Sequence, residues 1–209
     1  MIRHVLLIFA AFGFFMGNSC SAQIKDSVRT ALGYKPHFVF GINSKISSVS
    51  GDPSRTMRLF AGLDYNKKLR FELALNYMPN VAVDNRINDK TDTTITTNQM
   101  VYWGLQTEYT FYRKNRWKLS YPVQLGWGVN QYTQRINRDL KENTNKMVVP
   151  LEIGANAIYY FYDWVGIKAG MGVRMSFGTS FSTLSGPYYN IGIAFYAGEL
   201  YKTVKAKLK

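Results

Sequence analysis

The 209-residue chain has one cysteine, Cys20, and two histidines, His4 and His37. A single cysteine closes no internal disulfide. Both Cys20 and His4 fall in a segment read below as a removable leader, so the mature chain is expected to hold no thiol nucleophile and only one imidazole. Acidic residues are also scarce: 13 Asp and Glu stand against 26 Lys and Arg, a formal charge of +13. Losing Arg3 with the leader brings this to +12. Long hydrophobic runs are missing. The stretch Val5 to Met16 falls short of the roughly 20 residues that a membrane-crossing helix needs, and Met147 to Tyr162 is interrupted by Glu152 and Asn156.

What is present is apolar and aromatic. With 46% hydrophobic residues and only 19% charged, the chain can bury enough surface to offset its ordering entropy, which excludes a disordered protein. Fifteen Tyr, 13 Phe and 17 Gly suit β-structure with crowded and uncrowded faces. Composition and charge leave three classes: a nucleic-acid binder, a secreted β-protein and a membrane barrel.

Residues 1–22 begin with Arg3 and His4, continue through the apolar run and end on Cys20, Ser21 and Ala22, the anatomy of a secretory signal peptide cut before Gln23. Lipoprotein processing at Cys20 is a second route, although Gly17 stands where a Leu-like residue is expected. Export removes intracellular nucleic acid from the set of partners. Residues 23–35 then form a short periplasmic segment.

From residue 36 onward the recurring signal is period two. In Leu69 to Met78, Leu69, Phe71, Leu73, Leu75 and Tyr77 share one face, while Arg70, Glu72, Ala74 and Asn76 share the other. Trp117 to Asn130 repeats the pattern, as do Met57 to Tyr65, Val101 to Phe111 and Val165 to Met175. Phe38 to Ile46, Val149 to Phe161 and Tyr189 to Ala197 bring the runs to eight. Short connections (Asn66 to Lys68, Arg113 to Arg116, Tyr162 to Trp164) alternate with longer ones (Ser47 to Arg55, Pro79 to Gln99, Gln131 to Lys146, Gly178 to Pro187). An even set of antiparallel strands with short turns at one end and long loops at the other predicts an all-β, eight-stranded, up-and-down transmembrane barrel over residues 36–201, with a basic tail over 202–209.

Glycine orients the faces. Gly41, Gly62, Gly104, Gly126, Gly128, Gly154, Gly166, Gly170, Gly172, Gly192 and Gly198 lie on the less apolar face, where they make room for large polar neighbours in a narrow lumen. The large apolar side chains then face lipid. Aromatics gather at both strand ends, with Tyr65, Phe111, Trp117, Phe161 and Trp164 by the short turns and Tyr77, Trp103, Trp127, Phe177 and Tyr189 by the loops, as interfacial girdles do. A soluble lipocalin-like barrel is the rival, but its outer face would carry charged residues.

With its leader, its eight alternating runs and segments such as Tyr162-Asp163-Trp164-Val165-Gly166-Ile167, the chain resembles the small eight-stranded outer-membrane barrels of the OmpA/OmpX type and, more loosely, the PorT-like barrels. The resemblance implies a fold and the bacterial outer membrane as compartment, but little about activity. Such barrels often finish on a terminal aromatic used in assembly, whereas this chain passes Tyr201 and continues from Lys202 to Lys209.

Two constellations stand out. The lumen-facing positions hold Arg58, Asp64, Arg70, Glu72, Glu108, Lys118, Glu152, Lys168 and Arg174. The bore of an eight-stranded barrel is about filled by side chains, so these charges are expected to pair as a structural network and plug it; a narrow ion path is the alternative. The short-turn end collects Lys67, Lys68, Arg113, Lys114, Arg116, Lys202, Lys205, Lys207 and Lys209, a basic periplasmic rim suited to lipid headgroups or an acidic partner.

No catalytic, cofactor or metal site is expected. His37 starts the first strand at the periplasmic end, away from the rim where an outer-leaflet hydrolase needs its base. Asp84, Asp89 and Asp92 lack calcium-loop spacing, and Gly126-Trp127-Gly128 lies inside a strand rather than before a helix. The reading is a non-enzymatic barrel acting through surface loops or the basic rim, in surface interaction, envelope integrity or support of a secretion or assembly complex. Its partners are outer-membrane lipids and an envelope or secretion-complex protein, not nucleic acid. A lipid-modifying enzyme and a narrow pore are the alternatives.

Overall fold

The computed structural model describes residues 26, 28–49, 52–88, 92–136, 139–178 and 184–207. The leader expectation, with Cys20, lies outside them. After a helical turn over residues 28–32 come eight strands: β1 (Pro36–Val49), β2 (Asp52–Tyr65), β3 (Leu69–Asn88), β4 (Asp92–Lys114), β5 (Trp117–Ile136), β6 (Asp139–Tyr162), β7 (Val165–Phe177) and β8 (Gly186–Tyr196). A helix, α1 (Ala197–Lys207), follows. Each strand pairs antiparallel with the next, and β8 closes on β1, with Ile42 opposite Ile193. Closure leaves no sheet edge around the barrel, the condition for a sheet to stand in lipid. Among the described residues no helix is long and apolar enough to cross a membrane.

Alternation sorts the side chains inside out. Leu59, Leu105 and Leu125 on the outer wall are 58%, 56% and 52% exposed, whereas Arg58, Arg70 and Lys118 are 1%, 0% and 0% exposed. The fold is that of a transmembrane barrel whose solvent on the outside is lipid. Inward glycines accommodate bulk: a Cβ on Gly41 would lie 2.7 Å from the Phe60 ring, and one on Gly172 would lie 2.7 Å from the Tyr188 hydroxyl. Aromatics crowd the short-turn end, where Trp117 meets Tyr159 edge-on at 5.0 Å and Phe111 stacks on Tyr121 at 4.3 Å. The β2–β3 turn is tight because Asn66 and Lys67 both take left-handed backbone, φ 52° and 53°, matching the twist of the strands it joins.

Two expectations change. The segments read as long loops, Ser47 to Arg55, Pro79 to Gln99 and Gln131 to Lys146, are mostly strand: β1 runs to Val49, β2 starts at Asp52, β3 runs to Asn88, β4 starts at Asp92, β5 runs to Ile136 and β6 starts at Asp139. Thr94 pairs with Ile136, and the β4–β5 ladder is unbroken down to Thr110. Above the membrane both faces of a sheet meet water, so alternation disappears from the sequence while β-branched Thr and Val still favour extended backbone. At the other end β8 stops at Tyr196, so Ala197, read as the end of the eighth run, and residues 198–201, included in the barrel by the resemblance, are helical. Gly198 therefore sits in α1 and not on the lumen face.

Candidate functional site

Register alone brings many lumen charges together. Arg70 stands directly between Asp64 on β2 and Glu108 on β4, and Glu152 on β6 faces Arg174 on β7. All nine lumen residues named from the sequence are at most 2% exposed. They form two groups. Near the short-turn end, Arg70 donates to Asp64 Oδ2 at 3.0 Å and to Glu72 Oε1 at 3.2 Å, and Glu108 is reached by Lys168 at 2.9 Å, Lys118 at 3.3 Å and Arg70 at 3.7 Å. Arg58 Nη2 joins through Glu72 Oε2 at 2.6 Å and packs its guanidinium over the Phe60 ring at 4.6 Å. Nearer the end opposite the short turns, Arg174 Nε donates to Glu152 Oε1 at 2.8 Å and Tyr102 donates to the same oxygen at 2.7 Å, while Lys45 holds Oε2.

Several of these partners were not picked out from the sequence. Lys45, Gln106, Tyr102, Tyr160 and Tyr196 all belong to the network: Gln106 Nε2 donates to Glu72 Oε2 at 3.0 Å, Arg70 Nη2 donates to the Tyr196 hydroxyl, and the Tyr160 and Tyr196 hydroxyls lie 2.7 Å apart. The signal was parity. Tyr102 shares its face with Gly104 and Glu108, and Tyr196 shares its face with Asn190 and Gly192, so strict alternation turns these rings inward however apolar they look.

Chemically, the arrangement fills space and pairs charge, with six buried cations sharing four carboxylates among the described residues. Each buried carboxylate contacts at least two cations, which offsets the cost of taking both signs out of water. Above the network Met78, Met100, Tyr102, Val148 and Leu184 make an apolar cluster across the mouth. Leu184 is pinned there by Ser176, whose hydroxyl donates to the Leu184 carbonyl at 3.2 Å and whose amide donates to Ser185 Oγ at 2.9 Å. A bore filled in this way is expected to pass no hydrated ion. In planar bilayers the purified protein is expected to give a flat current trace; steady open-channel steps would show that the network parts to form a pore.

The basic residues fall at one end. Lys67, Lys68 and Arg116 are in turns, Arg113 and Lys114 end β4, and Lys202, Lys205 and Lys207 are in α1; Lys209 lies outside the described residues. They are less free than the sequence suggests, because Lys67 Nζ pairs with Glu199 Oε1 of α1 at 3.2 Å and Lys68 Nζ lies over the Tyr109 ring at 5.2 Å. His37, at the start of β1, is in register with Asp64. Of the loop aspartates, Asp84 falls in β3 and Asp92 in β4, and Asp89 lies outside the described residues. Among the described residues no three His, Cys, Asp or Glu side chains converge as a metal cage would require.

The opposite end carries the most distinctive feature of the backbone. β2 leaves β3 after the pair Met57 and Tyr77, and β7 leaves β6 after Phe177 and Val149, yet β3, β4, β5 and β6 stay paired beyond those points. A four-stranded sheet therefore projects from the barrel. From Val101 to Asp92 it extends roughly 30 Å at about 3.3 Å per residue. Its margins are the upper part of β3, whose pairing shifts register after Met78 and again after Val81, and the upper part of β6.

No protein-family model matches the chain, and no curated protein does. Solved structures do match in fold. Neisserial surface protein A aligns with a TM-score of 0.54 at 13% identity, over 77% of this chain and 96% of that one. A major outer membrane protein from Thermus thermophilus aligns with a TM-score of 0.51 at 11% identity, over 78% and 99% of the two chains. At these identities the likeness is one of architecture: the chain has the eight-stranded barrel of small bacterial outer-membrane proteins, and the outer membrane is where such a wall is at home.

Proposed function

We propose that this outer-membrane barrel is a non-enzymatic surface-interaction protein whose working part is the projecting sheet. One observation carries the reading: the ladder of β3 to β6 continues beyond the strands that close the barrel. Among the described residues no further strand pairs with the outer side of either margin, so an extended segment of another protein can lengthen the sheet there by strand addition. The barrel beneath is a rigid support that needs no help from the sheet, because its own core is an interlocked charge network. The basic rim at the far end is the second way the protein can hold a partner, and its charges favour an acidic one.

Lysines mark both ends, so crosslinking with a membrane-permeant amine-reactive reagent on intact cells distinguishes the two. Partners joined to Lys141 or Lys146 support the sheet, and the adducts are expected to vanish when both hairpins are cut back to short turns while the barrel keeps its heat-dependent gel mobility. Partners joined only to Lys67, Lys68, Lys114 or Lys205 move the function to the rim. Lipid A or phospholipid acyl chains whose composition changes with His37→Ala would replace the interaction reading with a lipid-modifying enzyme.

A further inference from the structure

On the lipid-facing wall one cation stands apart. Arg55 belongs to the outward face of β2, above Met57 and Leu59, and is exposed. Tyr65 at the short turn is ten positions further along the same strand. At about 3.3 Å per residue and a tilt of about 40° those ten steps climb roughly 25 Å, the height of a barrel's apolar band. Arg55 thus sits at the outer-leaflet boundary. Its side chain does not reach up toward water. Nε donates to Ser44 Oγ at 2.8 Å, and Ser44 stands opposite Met57, one outward position nearer the bilayer centre. The guanidinium is folded down onto the wall, and none of the ion pairs among the described side chains includes it.

Directly beneath it the wall is hollowed. A groove of about 540 Å³ runs from Arg55 and Ser44 past Ile42 and Leu59, across β8 at Ile193, to Ile167 on β7. Its cause is local: Ser44 is a small residue between larger outward side chains. A cation laid over an apolar groove in lipid is costly unless an anion meets it. With Nε occupied by Ser44, the two terminal nitrogens of Arg55 remain as the fork that binds phosphate in bidentate fashion.

We infer that Arg55 and this groove form a binding site for a phosphorylated, acylated glycolipid of the outer leaflet, with a phosphate on the Arg55 guanidinium and one acyl chain in the groove. The site needs both halves of the ligand. An acyl chain alone leaves the cation unmet, and a free phosphate leaves the groove to bulk lipid. The inference is independent of the projecting sheet, since it concerns the wall below it.

The test is native mass spectrometry of the protein purified from outer membranes in a mild detergent, then challenged with bisphosphorylated lipid A, its dephosphorylated form, or phosphatidylglycerol. The unaltered protein is expected to retain one lipid A. Arg55→Gln should lower its occupancy about tenfold, the loss expected for one charge-assisted contact. Arg55→Lys should restore part of it, and Ser44→Trp, which fills the hollow, should lower it with Arg55 intact. Both positions are on the outer wall, and heat-dependent gel mobility checks that each variant is folded. Equal retention of lipid A by the protein and by both Arg55→Gln and Ser44→Trp would overturn the site. So would equal binding of the dephosphorylated form or of phosphatidylglycerol, which would reduce the groove to ordinary lipid contact. A dimer dissolved by Ser44→Trp would instead make the groove a contact between two copies, and would overturn it too.

Discussion

Glu108→Gln is expected to cost the barrel about 3–5 kcal/mol, the penalty of removing one partner from a buried ion network. Three cations converge on that carboxylate, with Lys168 at 2.9 Å, Lys118 at 3.3 Å and Arg70 at 3.7 Å, and all four groups are withdrawn from solvent. Arg70 and Lys118 keep Asp64 as a counter-charge after the substitution; Lys168 loses the carboxylate that holds it. The measurement is the free energy of urea unfolding in phospholipid vesicles, followed by tryptophan fluorescence. A double variant, Glu108→Gln with Lys168→Met, should recover part of the loss, because it removes the stranded charge as well. Unfolding of Glu108→Gln at the same urea concentration as the unaltered protein would mean that the lumen charges are individually solvated rather than interlocked.

Leu73→Arg and Leu125→Arg should each cost about 2–4 kcal/mol, since each places a charge on the lipid-facing wall near the bilayer midplane. Leu73 is 47% and Leu125 52% exposed, and both sit mid-band, between the short turns and the projecting sheet. The same substitution at Asn145, exposed on β6 above the band, should change stability by no more than about 0.5 kcal/mol. In a soluble barrel all three sites face water and arginine is tolerated at each, so equal unfolding free energies for the three variants would exclude lipid as the outer solvent.

Period two is local, and for that reason most of the fold was open to reading from the chain. Leu69, Phe71, Leu73, Leu75 and Tyr77 announce both a strand and its outward face, and Arg70, Glu72 and Asn76 between them mark the lumen. Where one face meets lipid and the other a polar bore, the pattern is strong. Above the membrane both faces meet water. There, in Pro79 to Gln99 and Gln131 to Lys146, the alternation fades and strands look like loops, although hydrogen bonding to a neighbour holds them extended. Ala197 fails differently, because an apolar residue at the end of an alternating run fits a last strand position and a first helical turn equally well.

Side-chain order along single strands is enough to specify the barrel: eight alternating runs, glycines on the inward face, aromatics at the strand ends and the inward set of charges all follow from it. Which of those charges meet is a property of the closed sheet. Lys45 reaches Glu152, 107 residues away in sequence, and Lys168 reaches Glu108, 60 residues away, because barrel closure and strand stagger set those neighbours. The same long-range pairing turns the supposed loops into a projecting sheet, ties α1 to Lys67 through Glu199, and lays Arg55 over a groove lined from β1, β2, β3, β7 and β8. The reason is common to all of them: a strand's own order says which way a side chain points, but what it touches depends on the register of strands far apart in the chain.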